Sequence, residues 1–242
     1  HGTGSNRDEA GMGYALAAPR MAADGIATLR IDFMGNGDST ASYRDYNYTS
    51  AVIDAKAAAD YLAGLETVDG GNLGVMGWSQ GGTDALLAAE AHPGTFQAVV
   101  TWSGALELNG ASLFAGTSFE DAYAQAKKEG FYTMTFDWRE PLELGERWFQ
   151  EVAETNILKV TADIKAPILA INGKDDTTVT PDNAEKIVKA AANADSQLLL
   201  VDNCDHTYNV FSGDFTALYQ TVDATAAFFQ AQLIPAAAQA AA

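Results

Sequence analysis

The sequence predicts an α/β fold: one domain with a mostly parallel central sheet, helices on both faces, and an inserted cap. Three observations carry this. Short apolar runs alternate with helix-like, Ala-rich segments along most of the chain, and strands that are apolar throughout are those buried on both faces. With 242 residues, 48% of them hydrophobic, the chain is long enough for one sizeable core. The pentapeptide Gly77-Trp78-Ser79-Gln80-Gly81 stands where an apolar run gives way to a helical pattern.

In chain order, 8–24 reads as a helix rich in Ala, Leu and Met. Residues 26–33 (IATLRIDF) read as a strand, followed by the turn Gly35-Asn36-Gly37-Asp38-Ser39. An Ala-rich helix is expected over 49–65, with Thr49 or Ser50 as its N-cap. Residues 73–78 (LGVMGW) form a buried strand, 80–91 a helix and 96–103 (FQAVVTWS) the next strand. The rhythm then breaks. Residues 106–163 show no clear strand and many aromatics, and are expected to be an inserted lid. Alternation resumes with a strand at 167–172 (PILAIN), a helix at 182–192, a strand at 197–202 (QLLLVD) and a helix at 214–232. The core is thus 1–105 with 164–235, and 236–242 is a low-complexity Ala/Gln tail.

The 32 acidic and 14 basic residues give a net charge of −18, which repels phosphate backbones and anionic lipids. Nucleic acid and membranes are therefore not expected partners, and no run reaches the ~20 apolar residues of a bilayer span. The single cysteine, Cys204, cannot form an internal disulfide and reads as a small buried hydrophobe. The expected location is cytoplasmic, the expected partner a small molecule, and a homodimer stays open.

Gly77-Trp78-Ser79-Gln80-Gly81 fits G-x-S-x-G at a strand-to-helix junction, the nucleophile elbow. The turn has no room for side chains at Gly77 and Gly81, and Gly82 lets the helix approach the sheet. A serine hydroxyl needs a base. Of the three histidines, His1 lies in a Gly-rich loop and His92 at a helix end before Pro93. His206 follows the last strand, on the edge where Ser79 is expected, and is the candidate base. The acid should fall between them in sequence. Asp176 is chosen, with Asp175 as the fallback, in the loop after 167–172. His1-Gly2-Thr3-Gly4 would supply an oxyanion-hole N–H from Thr3, and Gln80 the other. No metal or organic cofactor is expected: there is no Cys/His cluster and no G-x-G-x-x-G after a strand.

These motifs, with Arg30-Ile31-Asp32-Phe33-Met34-Gly35-Asn36-Gly37-Asp38-Ser39, Gly173-Lys174-Asp175-Asp176 and Asp205-His206, resemble the bacterial feruloyl (cinnamoyl) esterase branch of the α/β hydrolases. The resemblance spans nearly all of the chain except 106–163. It implies the α/β-hydrolase fold and prefers Asp176, with Val179 three residues on, over Asp175. It also implies a lid that grips the acyl group, at 106–163. Three features depart from it: Trp78 stands where His is frequent, Thr3 where an aromatic is frequent, and the lid carries over no phenol-binding residue. Family members have two or three strands before the His-Gly loop, so an upstream segment of roughly 25–35 residues is expected.

The expected activity is carboxylic-ester hydrolysis through an acyl-enzyme, on hydroxycinnamoyl or other small to medium acyl esters. Trp78, Trp138 and Trp148 are the candidate substrate contacts, since aromatics suit an apolar acyl group. The aromatics packing the lid onto the body is an equal alternative. Rival readings are a serine peptidase, a thioesterase or a perhydrolase on the same residues, or a non-catalytic binding protein of this fold.

Overall fold

The computed structural model describes residues 1–110, 113–114 and 116–234. The low-complexity tail lies outside them. In chain order the elements are α1 (Gly13–Ala23), α2 (Tyr48–Ala63), β1 (Leu73–Trp78), α3 (Gln80–Ala91), β2 (Phe96–Trp102), α4 (Phe119–Glu129), β3 (Phe131–Met134) and β4 (Leu142–Gly145). They continue with α5 (Glu146–Glu154), α6 (Ile157–Asp163), β5 (Ile168–Gly173), α7 (Asp182–Ala190), β6 (Gln197–Val201) and α8 (Thr216–Leu233).

Four strands form a parallel sheet in the order β1-β2-β5-β6. Parallel neighbours need long crossovers, and the helices between them cover both faces. Side chains alternate along each strand. Val99, Ile168 and Ala170 join one core with Ala85, Leu86 and Ala88 of α3. Val100, Trp102, Leu169 and Ile171 join the other, with Tyr14, Ala17 and Met21 of α1 and Leu218, Val222 and Phe229 of α8. Each large apolar side chain so buried contributes about 1.5–3 kcal/mol. Residues 80–89 of α3 are buried all round, because α3 lies between the sheet on one side and α2 and α6 on the other.

Three sequence expectations need correction. Residues 26–33 carry no ladder hydrogen bonds and join no sheet among the described residues. They line an apolar cleft of about 460 Å³ whose far wall includes Leu73, Gly74, Val75 and Met76 of β1. β-branched composition favours an extended chain, but a strand exists only where a neighbour lies within hydrogen-bonding reach, and here the cleft intervenes. The stretch 106–163 does contain strands: β3 and β4 pair as an antiparallel hairpin, Phe131 opposite Gly145 and Met134 opposite Leu142. The N-cap of α2 is Asn47. Its side chain accepts from Ser50 N–H while the Ser50 hydroxyl accepts from Asn47 N–H, a capping box.

The segment between β2 and β5 has an aromatic centre. Phe114, Phe119, Tyr123, Tyr132, Trp148 and Phe149 surround one another, with Tyr123 stacked on Phe149 at 5.7 Å and Trp148 edge-on to it at 5.0 Å. It is tied to the body at its base. Arg44 pairs with Glu143 at 2.8 Å and lies 3.6 Å over the Phe131 ring, and the Thr49 hydroxyl donates to Glu151 at 2.6 Å.

Candidate active site

Ser79 lies between the end of β1 and the start of α3 with φ 57° and ψ −123°, a backbone conformation that a non-glycine residue adopts only where the surroundings enforce it. They do so through glycines. A Cβ on Gly77 would run into the Gly81 carbonyl, and one on Gly81 would come within 2.6 Å of the His1 carbonyl oxygen. At Gly82 a Cβ would come within 2.7 Å of the Gly104 Cα, so α3 approaches the sheet as closely as glycine allows. Ser79 N–H donates to the Trp102 carbonyl at 2.8 Å, which fastens the turn to β2.

His206 follows β6, and its Nε2 lies 3.1 Å from Ser79 Oγ. Its Nδ1 lies 2.8 Å from Asp176 Oδ2, in the loop after β5. All three thus project from C-terminal ends of parallel strands, where an open α/β sheet presents its loops to a ligand. Asp176 is itself held. Oδ1 accepts from the N–H groups of Thr178 at 2.9 Å and Val179 at 2.8 Å, and Asn172 Nδ2 lies 3.3 Å from Oδ2. These bonds leave Oδ2 aimed at the imidazole. Asp175 is exposed and reaches neither partner, so the geometry selects between the neighbouring carboxylates.

Gln80 is the first residue of α3, and Thr3 lies beside it: the Thr3 hydroxyl donates to Gln80 Oε1 at 2.6 Å. Among the described residues, neither the Thr3 N–H nor the Gln80 N–H has a hydrogen-bond acceptor. A Cβ on Gly2 would come within 3.2 Å of the Ser79 Cβ, so the His1–Gly4 loop is packed directly against the serine. The loop is anchored by side chains. Gly2 N–H donates to the Glu9 carboxylate, the Arg139 guanidinium donates to the Gly4 carbonyl, and His1 Nε2 accepts from Phe33 N–H at 3.2 Å.

Two of the three candidate substrate contacts need correction. Trp148 is 0% exposed, inside the aromatic centre of the intervening segment. Trp78 is 2% exposed and packs below the sheet against Trp102 and Tyr208. In a short strand alternate side chains point to opposite faces, and Trp78 precedes Ser79 on the face away from it. Its indole nitrogen instead donates to the His206 carbonyl at 3.0 Å, bracing the loop that carries the imidazole. Trp138 is 66% exposed at the tip of the β3–β4 hairpin, 5.2 Å from Phe136 and next to Arg139. Cys204 is buried, and burial pushes its thiol up to about 12, so it carries no thiolate at neutral pH. His92 is the C-terminal cap residue of α3 and is half-buried.

Sequence reasoning missed Tyr46 and Asp84. Both are buried, and the Tyr46 hydroxyl donates to Asp84 Oδ2 at 2.6 Å. The available signal was an aspartate directly before the apolar run Ala85–Ala89, five residues after the serine. No cluster of three or more His, Cys, Asp or Glu side chains suited to a metal occurs among the described residues. None of their helices is long and apolar enough to cross a membrane.

Solved structures resemble this one over nearly its whole length. A Butyrivibrio proteoclasticus protein, Est1E with ferulic acid bound, superposes with a TM-score of 0.78 at 20% identity, covering 97% of this chain and 88% of that one. A Paleococcus ferrophilus monoacylglycerol lipase gives 0.73 at 17% identity, over 96% of this chain and 92% of that one. The esterase domain of a Rhodothermus marinus protein gives 0.65 at 19% identity, over 91% and 81%. These likenesses establish the α/β-hydrolase fold. The family model for the prolyl oligopeptidase family matches residues 14–234, a span that holds Ser79, Asp176 and His206. On that match the chain, a hydrolase of the α/β-hydrolase fold, belongs to the prolyl oligopeptidase family.

Proposed function

We propose that the protein is a serine carboxylic-ester hydrolase in which Ser79 is the nucleophile, His206 the general base and acid, and Asp176 the residue that orients the imidazole. The observation that carries this is the continuous chain from Ser79 Oγ to His206 Nε2 at 3.1 Å and from His206 Nδ1 to Asp176 Oδ2 at 2.8 Å. Ser79 Oγ attacks the ester carbonyl while His206 Nε2 takes its proton. The carbonyl oxygen gains the negative charge and is met by the N–H groups of Thr3 and Gln80. Collapse of the tetrahedral intermediate breaks the bond to the alcohol oxygen, which receives the proton from His206. A water, deprotonated by His206, then attacks the acyl-enzyme, and the acid leaves as the proton returns to Ser79. Asp176 holds Nδ1 protonated and stabilises the imidazolium at each half-reaction.

The partner is a small-molecule ester. The exposed Trp138 and neighbouring Phe136, on the hairpin whose Arg139 touches the oxyanion loop, supply an apolar surface for an acyl group, hydroxycinnamoyl among the candidates. The name of the ferulate-bound neighbour supports the same direction.

A second reading has its own support. Membership in the prolyl oligopeptidase family favours peptide-bond hydrolysis by the same residues. One experiment separates them: p-nitrophenyl acetate, butyrate and octanoate with methyl ferulate, against aminoacyl and prolyl p-nitroanilides, each with Ser79→Ala as control. Ester turnover lost in the variant, with anilides inert, supports the esterase. Anilide turnover of comparable kcat/KM moves the assignment to a peptidase. No serine-dependent turnover of either removes both.

A further inference from the structure

We infer that Tyr46 and Asp84 are positioning residues for the oxyanion hole, acting through a buried side-chain relay, Thr3–Gln80–Tyr46–Asp84, that locks the two N–H donors to each other. This rests on the proposed role of Ser79. The Thr3 hydroxyl donates to Gln80 Oε1 at 2.6 Å. Gln80 Nε2 donates to the Tyr46 oxygen at 3.1 Å, and the Tyr46 hydroxyl donates to Asp84 Oδ2 at 2.6 Å. Gln80, Tyr46 and Asp84 are each at most 2% exposed.

The direction of every bond follows from the last member. Above about pH 7, where Asp84 is ionised, its carboxylate only accepts, so the Tyr46 hydroxyl must donate to it. The Tyr46 oxygen is then left to accept, which turns the amide nitrogen of Gln80 toward it and the amide oxygen toward Thr3. Without Asp84 the Tyr46 proton has no assigned partner, the Gln80 amide has two equivalent orientations, and Thr3 loses its fixed acceptor. The relay also closes on itself: Asp84 lies one helical turn beyond Gln80 on α3, the helix whose N-cap is Ser79. It therefore joins the loop bearing one donor to the helix bearing the other.

A purely structural role accounts poorly for Asp84. It is fully buried, followed on α3 by the buried apolar run Ala85–Ala89, and its Oδ1 has no hydrogen-bond partner among the described residues. An apolar side chain of similar size would pack there at lower cost, since an unsatisfied buried polar atom costs about 1–3 kcal/mol. Burial raises the carboxyl to about 7 against the opposing effect of the Tyr46 hydroxyl. Retaining so expensive a group is what a fixed hydrogen-bond polarity requires.

The test measures kcat and KM on p-nitrophenyl butyrate, together with inhibition by phenylboronic acid. Addition of a serine hydroxyl to that acid gives a tetrahedral anion with an oxygen at the oxyanion position. Tyr46→Phe is expected to lower kcat by about 10- to 100-fold, the scale of a misplaced donor. KM should stay within twofold, and boronate affinity should fall with kcat. Thr3→Val, a less buried change that removes the first hydroxyl, should do the same, and Thr3→Val/Tyr46→Phe should lose no more than the worse single variant. Asp84→Asn, which keeps an acceptor oxygen, should lose at least tenfold less than Asp84→Leu. Unchanged kcat and boronate affinity in Thr3→Val, or losses confined to KM, overturn the relay. If Tyr46→Phe does not fold, Thr3→Val decides alone. Serine-specific labelling of the parent by a fluorophosphonate, absent in Ser79→Ala, tests the underlying reading separately: without it, that reading fails first.

Discussion

The two sides of the candidate site are held by different means. Ser79, Asp176 and His206 hang from β1, β5 and β6, three strands of one continuous parallel ladder. Their relative positions are set by backbone pairing, which no single side chain controls. The oxyanion side, residues 1–46, has no ladder among the described residues. It is held by side chains: Glu9 on Gly2, Arg139 on Gly4, His1 on Phe33 N–H, and Thr3 on Gln80. The lesson is that geometry fixed by a ladder is insensitive to most substitutions, whereas geometry fixed by side chains is exposed to each of them.

The largest expected effect comes from the laddered side and is purely chemical. Ser79→Ala should lower kcat by about 10⁴-fold or more, and Asp176→Asn by about 10⁴-fold through the wrong imidazole tautomer, the scale known for such triads. Thermal midpoints should move little. A variant that unfolds instead would show that these side chains are part of what holds the ladder, and the comparison would break.

Amide hydrogen exchange tests the contrast in the backbone. The N–H groups of residues 27–32 have no acceptor among the described residues, whereas those of Val99 and Ser103 are bonded to the neighbouring strand. Exchange at 27–32 should be at least about 10³ times faster than in β2, since local openings cost far less than global ones. Equal protection would mean that the oxyanion side also belongs to a ladder.

The pH dependence of stability isolates the side-chain-held half. The Asp84 carboxyl is raised by burial to about 7, from 3.8. Between those values the folded protein keeps the proton and the unfolded chain releases it. This contribution to stability is therefore present at low pH, declines as pH rises from about 4 to 7, and is level above. Asp84→Asn should remove the decline and be the more stable protein at pH 8 in urea titrations. Tyr43, Tyr46 and Tyr48 lie around this carboxyl. They are common to parent and variant, so the difference reports Asp84. Parallel pH profiles would refute the shift.

The smallest effect concerns the hairpin. Arg139→Ala removes the guanidinium donor to the Gly4 carbonyl. A charge-assisted bond at this half-buried place should be worth about tenfold in kcat/KM, with no change in thermal midpoint. Trp138→Ala, at the same tip, should change the ratio of ferulate to acetate turnover by a few-fold. Equal loss on both esters would leave Trp138 as packing.

Much of this was legible in the residues. The elbow glycines, the order Ser79, Asp176, His206 and the strands at 73–78, 96–103, 167–172 and 197–202 followed from local patterns, because a tight turn admits only glycine and a doubly covered strand must be apolar. The hairpin of β3 and β4 was missed: four-residue strands seven residues apart leave too short a period to detect. Trp78 and Trp148 were misjudged because aromatic character does not say which way a side chain points. Residues 26–33 show the converse, a strand-like composition that joins no sheet among the described residues.

The sequence by itself determined the fold class, the glycine-bounded turn at Ser79 and which histidine and which pair of aspartates stood in line with it, since each is set by spacing along the chain and by steric rules at single residues. Only the tertiary structure gave the contact that sets Asp176 apart from Asp175, drew Trp78 and Trp148 into the core, and brought Thr3, Gln80, Tyr46 and Asp84 into one chain of hydrogen bonds. Those outcomes depend on the directions of side chains from segments up to 130 residues apart, as Trp78 and Tyr208 are. Such directions are fixed by packing in three dimensions, where no local pattern records them.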